Sequence, residues 1–370
     1  TRGRCISWIG TPLLVMGLIV LIKNMFDKVE EVSEFGSLTW KWGETLILYA
    51  LAFQSVWAAI FIMRRTHTLF FLDFYESWSE CARLAEKENK EGKENGDVEN
   101  GESISSTPRS GSPILVILAF LLFTGAHISA TTKYVFYNGH NANSNETVTT
   151  PLLDKFPSLE PLLSLWAVII SATAISVYGV LHGILGDTID DFNKDLKASS
   201  DSKTLSTRLN SFSIRYQSIL VFTRLLSTHM GTFAGMCTFP AVIINFSAMF
   251  LSLSFKGGVG GLGHLCYILW TILAISSKVV VLLQPATIQE KLNKMQEILI
   301  ADKEIWRKEK EVVEEAQMML SKRKFTDTTV SVLKCLKLTP WVANGIMVVP
   351  PFFGGFFSIV KVFIINVIHP

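Results

Sequence analysis

The chain has 370 residues, 49% of them hydrophobic, and a mean hydropathy of +0.35, above what a soluble domain of this size carries. Its 34 Lys plus Arg against 32 Asp plus Glu exclude a strongly basic nucleic-acid binder. The five widely spaced cysteines, Cys5, Cys81, Cys237, Cys266 and Cys335, offer no CxxC spacing for a metal, and their odd number excludes a complete disulfide framework.

A helix needs about 20 mostly apolar residues to cross about 30 Å of hydrocarbon. Seven segments meet that requirement: 6–22, 45–63, 113–136, 159–186, 231–255, 262–284 and 340–368. The expected fold is therefore an all-α polytopic membrane protein. Segment 6–22 is long for a signal region and no Ala-x-Ala site follows it, so it reads as the first span. The chain opens on Thr1 rather than Met, as a piece of a longer protein would. The second span completes a unit at 1–63 and ends on Arg64 and Arg65.

From 64 to 112 the chain leaves the membrane. Residues 66–85 continue as a helix, and 86–112, charged and almost free of apolar residues, read as a disordered linker with nothing to bury against the entropy of ordering. Spans three and four occupy 113–186. In 187–230 the apolar residues Ile189, Phe192, Leu196, Leu205, Leu209, Phe212, Ile219 and Phe222 recur at helical spacing. Spans five and six fill 231–284, joined by the glycine turn 256–261. From 285 to 338 the spacing of Ile288, Leu292, Met295, Leu299, Ile305, Val312, Ala316 and Met319 predicts one helix of about 30 residues, 45 Å long at 1.5 Å per residue. The last unit, 339–370, holds the seventh span, interrupted by Pro350, Pro351, Gly354 and Gly355.

Lys and Arg concentrate in loops that stay inside the cell. With a cytosolic N-terminus, the inside stretches carry 26 Lys plus Arg and the outside ones five. The sequon Asn145-Glu146-Thr147 falls in an outside loop, which makes Asn145 the expected glycosylation site. A second sequon at Asn245 lies within a span and reads as chance. The expectation is a plasma-membrane protein with an extracellular C-terminus and membrane lipid as its surroundings. Three spans then project amphipathic helices into the cytosol, and such faces need partners. A helical bundle, shared between subunits, satisfies them better than helices lying on the bilayer.

Signatures of catalysis are missing: the chain has no Walker A loop, GxSxG, HExxH or GxGxxG before a strand. No two of its seven histidines stand at the i, i+4 spacing of a helical metal site. Asp187, Asp190 and Asp191 read as a solvated helix end. No enzyme activity, cofactor or metal is expected. The charges within spans carry more weight, because an intramembrane ion usually faces a cavity or pore. Lys278 and Lys361 are two of these. Snorkelling to an interface explains either, but Lys361 is followed on its helix by Asn366 and His369, which suits a water-filled path.

This layout resembles the insect gustatory and odorant receptor superfamily, most closely the animal gustatory receptor-like proteins. Local support comes from LHGILGDTIDDFNKDLKA at 181–198, LSTRLNSFSIRYQSIL at 205–220 and the final segment 336–370. The superfamily's last span carries Thr-Tyr, five residues, then Gln-Phe; here Val362-Phe363 and His369-Pro370 stand at that spacing. The resemblance implies a homotetrameric, ligand-gated, non-selective cation channel whose seventh spans line a central pore and whose cytosolic helices form an anchor. It implies Lys361, Phe363, Ile364, Asn366, Val367 and His369 at the pore or gate. It also implies a small-molecule pocket in the outer half of the protein, with Tyr49, His127, Tyr134, Trp166, His264, Tyr267 and Trp270 of suitable chemistry. Two alternatives share the hydropathy: a seven-span metabotropic receptor, which requires an outward N-terminus, and a secondary transporter, which favours paired broken segments in two halves.

Overall fold

The computed structural model describes residues 40–94, 159–254, 260–325, 331–332 and 336–368. These form α1 (Trp40–His67), α2 (Phe70–Glu94), α3 (Leu159–Asp201), α4 (Leu205–Ser254), α5 (Gly260–Lys278), α6 (Gln284–Ala301), α7 (Lys310–Phe325) and α8 (Pro340–Ile368). A π-helical turn, Val279–Leu283, joins α5 to α6, and a 3₁₀ turn, Ile305–Arg307, precedes α7. The only strands among the described residues are an antiparallel pair of two residues each, β1 (Ser331–Val332) and β2 (Leu336–Lys337), which pair Ser331 with Lys337 and Val332 with Leu336.

Among the described residues three helical stretches are long and apolar enough to cross a membrane: Ile169–Asp201, Leu205–Leu253 and Tyr267–Ala301. They coincide with the fourth, fifth and sixth expected spans. The second and seventh expected spans are the helices α1 and α8. The first and third, together with the Asn145 sequon, lie outside the described residues. Hydroxyls inside the apolar helices bond to their own backbone: Thr173 to the carbonyl of Ile169, Thr223 to Ile219, Thr238 to Ala234 and Thr271 to Tyr267, each at 2.7–2.9 Å. The buried hydroxyls of Thr223 and Thr238, satisfied this way, need no water.

The 50-residue α4 is the spine, packed against α1, α2, α3, α5, α7 and α8. Its core side chains include Phe212, Tyr216, Ile219, Phe222, Met230, Phe233, Ala234, Cys237, Ala248 and Leu251, all close to fully buried. The expected apolar stripes at 187–230 and 286–319 face one another: Ile189, Phe192, Leu196, Leu205, Leu209, Leu292, Met295, Leu299, Ile305, Ala316 and Met319 are buried together in one continuous core.

Two boundaries differ from the sequence reading. The single helix expected beyond 285 is broken at Asp302, where the backbone turns extended. The Asp302 carboxylate accepts the Glu304 and Ile305 amides at 3.0 and 3.4 Å and the Ser200 hydroxyl at 2.7 Å, while Trp306 Nε1 donates to the Leu299 carbonyl at 3.1 Å. These partners satisfy the helix end and let α7 turn back onto α4. The linker expected from 86 is helical as far as Glu94, for a reason that lies in its charges.

α3 and α4 are joined by a Schellman turn. The Thr204 amide donates to the Ser199 carbonyl and the Lys203 amide to Ser200, both at 3.0 Å. Lys203 takes the left-handed position, φ 62°, where glycine is the usual occupant.

Candidate functional site along the last helix

α8 lies against α4 with one face and leaves the other open. Ala343, Pro350 and Gly354 are buried, whereas Trp341, Val348, Val349, Phe352, Phe353, Phe356 and Ile359 are exposed, Trp341 by 85%. Gly354 makes the close approach possible, because a Cβ there would sit 3.2 Å from both Met249 Cβ and the Phe246 carbonyl. No other helix among those described combines so apolar a sequence with so continuous an open face.

Behind α8 runs a seam of buried polar groups. Lys278 is 0% exposed, at the end of α5. It does not snorkel. Its Nζ donates to Asn245 Oδ1 on α4 at 3.4 Å and to the Met347 carbonyl on α8 at 3.5 Å. Among the described residues no carboxylate pairs with it. Asn245 is itself fully buried, and neither its Nδ2 nor the Ser247 hydroxyl finds a partner among the described residues. The π-helical turn follows immediately. Such turns mark places where a helix has given up regular hydrogen bonding, frequently near functional sites. Tyr178 of α3 reaches across and donates its hydroxyl to the Val281 carbonyl at 3.2 Å. Its ring stacks on His182 at 4.1 Å, and His182 Nδ1 lies 2.9 Å from the Tyr178 carbonyl.

At the other end of the bundle lies a second buried cluster, this one ionic. Arg215 of α4 donates to Glu88 Oε2 at 3.0 Å and to Asp195 Oδ2 at 2.6 Å. Arg208 donates to the Glu88 carbonyl and the Ser199 hydroxyl, each at 3.1 Å. Phe192 and Phe212 lie under the two guanidinium groups at 5.4 and 5.3 Å. Arg215 and Glu88 are both 3% exposed. Burial pushes the Glu88 carboxyl above its usual range, and the charges of Arg215 and Arg208 only partly offset it. The cluster bolts α2, α3 and α4 together. It is also why the stretch from 86 to 94 is helical: Glu88 stands in a charged segment that reads as a solvated linker, and its partner Arg215 is 127 residues away in sequence.

The remaining expected residues fall as follows. Tyr267 and Trp270, one turn apart on α5, are buried at 2% and 4% exposure. Tyr49, Trp166 and His264 lie on α1, α3 and α5, with their side chains outside the described part of the structure. The same is true of Lys361, Phe363, Ile364, Asn366 and Val367 on α8. His127, Tyr134 and His369 lie outside the described residues altogether. The acidic trio is divided: Asp190 pairs with Lys291 of α6 and Asp191 with Lys194. Among the described residues no group of three or more His, Cys, Asp or Glu could hold a metal ion. A groove between α2 and α4, lined by Glu76, Glu80, Ile214 and Val221 among others, has a volume of about 360 Å³. None of the expected ligand residues lines it.

A long helical spine, partner helices that run beyond the apolar stretches, and a last helix with one open face make up a helical fold that is shared with solved structures. The structure of the insect olfactory receptor OR5 from Machilis hrabei superposes with a TM-score of 0.57 at 9% sequence identity, covering 93% of this chain and 87% of that one. The same receptor in complex with eugenol gives 0.55 at 10% identity, covering 93% and 88%. No curated protein matches in sequence. The chain belongs to the family described as "Caenorhabditis protein of unknown function, DUF267", which matches residues 2–354.

Proposed function

We propose that this protein is a chemoreceptor-like, ligand-gated, non-selective cation channel, a homotetramer of seven-span subunits with α8 lining a central pore. The observation that carries this reading is the likeness to an insect olfactory receptor over 93% of the chain. The open apolar face of α8 fits it. A last helix that, among its described side chains, buries Ala343, Pro350 and Gly354 against its own subunit has its other face available to copies of itself. Large apolar side chains along a pore close it by excluding water, the role assigned here to Phe363, Ile364 and Val367. Lys361, Asn366 and His369, interleaved with them, would supply the polar part of the lining.

In this reading the N-terminus is cytosolic, the C-terminus extracellular, and the bundle formed by α2, α6, α7 and the charged halves of α3 and α4 is the cytosolic anchor. The ligand is a small molecule held in the outer half, near Tyr267 and Trp270, by analogy with a neighbour solved in complex with eugenol.

Expression in oocytes with two-electrode recording tests the reading. A cation current is expected, with Phe363→Ala raising the resting current several-fold as the apolar closure is thinned. Mass photometry of the purified particle should give four subunits. A silent membrane together with a monomeric particle would reject the channel.

A further inference from the structure

Prolines leave orphans. A proline in a helix has no N–H, so the carbonyl four residues before it loses its ordinary partner. In the membrane that carbonyl must be satisfied by something else, because no water reaches it. α8 contains Pro350 and Pro351, and the carbonyl that Pro351 leaves unpaired is that of Met347. This is the carbonyl to which Lys278 donates.

The arrangement recurs one helix away. Pro285 opens α6 just beyond the π-helical turn and leaves the carbonyl of Val281 without its fourth-residue partner. That carbonyl receives the Tyr178 hydroxyl. Of the carbonyls that prolines leave without their helical partner, those of Met347 and Val281 are each met by a donor from a neighbouring helix. The two devices lie on either side of the π-helical turn, which starts at the residue after Lys278.

We propose that Lys278 is a positioning residue for the last helix: its hydrogen bond to the Met347 carbonyl fixes the bend that interior prolines impose on a helix, here at Pro350 and Pro351, and thereby sets where the rest of α8 stands. The proposal concerns the half that the preceding section assigns to the pore, and its relevance to gating rests on that reading. The bend itself does not. Three observations exclude the common roles of a lysine in a span. The side chain is 0% exposed, so it does not reach an interface. Among the described residues it has no carboxylate partner. Its two partners are neutral oxygens on two different helices, Asn245 Oδ1 on α4 and the Met347 carbonyl on α8. A turn further along, Gly354 lets α8 touch α4 at Met249 and Phe246. The bend is therefore held on both sides, by Lys278 before the prolines and by Gly354 after them.

The test uses the whole chain in detergent and a cycle of two substitutions. Lys278→Met removes the donor and keeps the length. Pro351→Ala gives the Met347 carbonyl an N–H of its own helix and so makes the lysine dispensable. Nitroxides are placed on Ile272→Cys of α5, paired with either Val348→Cys before the bend or Ile359→Cys beyond it. In Lys278→Met the 272–359 distance is expected to shift and broaden by several ångströms while the 272–348 distance stays. Adding Pro351→Ala should return a single narrow distance. In parallel, Lys278→Met should lower the melting temperature by about 1–4 °C, the shift expected for leaving a buried carbonyl unsatisfied in a chain of this size, and by clearly less in the Pro351→Ala background. An unchanged 272–359 distance in Lys278→Met, or strictly additive effects of the two substitutions, would overturn the proposal. Should Lys278→Met fail to fold, the double variant must fold; if it does not, while Pro351→Ala alone does, the proposal fails as well. These readouts need no current. A silent channel with an intact cycle sinks the functional reading and leaves the bend standing.

Discussion

Two buried basic side chains organise this molecule, and they are held in opposite ways. Arg215 lies at the charged end of the bundle between two carboxylates, with Phe192 under its guanidinium plane. Lys278 lies among apolar helices with no carboxylate partner among the described residues, bonded to an amide oxygen and a backbone carbonyl. The first arrangement neutralises charge. The second satisfies orphaned backbone. A planar fork with several fixed donors suits the first task, since it can reach carboxylates on two helices at once. A compact donor on a flexible stem suits the second, since it has to find one carbonyl on a helix whose hydrogen bonding prolines interrupt. The contrast teaches that the two ends are secured by different physics, and they should fail under different conditions.

The largest effect is expected at the ionic end. Arg215→Met leaves the buried Glu88 with only the more distant Arg208 and the half-buried Asp195 without its cation, and removing one partner of a buried ion pair costs about 3–5 kcal/mol. The variant should unfold at a clearly lower temperature in detergent and should free α2 to proteolysis after Glu88. If Arg215→Met melts within about a degree of the parent, the cluster is not what holds α2, and the comparison collapses.

Next comes the orphaned carbonyl of Val281. Tyr178→Phe deletes one hydroxyl without changing the shape of the core, and leaving a buried acceptor unsatisfied costs about 1–3 kcal/mol. The loss should be insensitive to pH and salt, because no charge is involved. Thermal unfolding at low and high ionic strength measures this directly. A loss that grew with salt would assign Tyr178 to an electrostatic role instead.

Glu88 sharpens the contrast through pH. Burial raises its carboxyl above the ordinary value of 4.5. A raised folded-state value means that the folded protein binds the proton more tightly than the unfolded chain. The resulting stability is fully present below about 4.5 and is lost as pH rises through the folded-state value. Glu88→Gln mimics the protonated form and leaves Arg215 its bond to Asp195. Its melting temperature should match the parent's in acid and exceed it progressively as pH rises towards neutrality. A parent that gained stability relative to Glu88→Gln over that range would mean that Arg215 and Arg208 outweigh burial.

How much of this could be read beforehand differs between the two ends. The helices that could cross the membrane followed from hydropathy, because a span needs only length and apolarity, both local properties. The amphipathic stripes around Phe192, Phe212 and Met295 were legible for the same reason. Glu88 was not, since it stands in a charged, low-complexity stretch and its meaning comes from Arg215, 127 residues later. The break at Asp302 was hidden too: its stripe continues through Ile305 without a change of period, and only the capping bonds of Asp302 and Trp306 disclose the turn. Lys278 was visible as a charge within a span, and snorkelling was the wrong explanation for it. The signal that could have found its partner was present. Counting four residues back from Pro351 gives Met347, and from Pro285 gives Val281.

The smallest effect tests whether local backbone can be separated from the ionic cluster beside it. Lys203 occupies the left-handed position of the Schellman turn between α3 and α4, a conformation that costs a residue with a Cβ roughly 1–2 kcal/mol. Its amide and that of Thr204 bond to Ser200 and Ser199, and the Ser199 hydroxyl in turn accepts from Arg208. Its side chain pairs with Glu304 at 3.3 Å, but both groups are largely exposed, so that pair adds little. Lys203→Gly removes the strain and loses part of the gain to the greater freedom of glycine in the unfolded chain. A net stabilisation of about 0.5 kcal/mol is expected, a rise of about 1 °C in melting temperature. The rise should be the same in the parent and in Glu88→Gln, because the strain is stored in the turn and the charge is stored one helical turn away. A rise that depended on Glu88 would mean that the turn and the ionic cluster form one cooperative unit, and that Arg208, which contacts both Ser199 and Glu88, is the side chain that joins them.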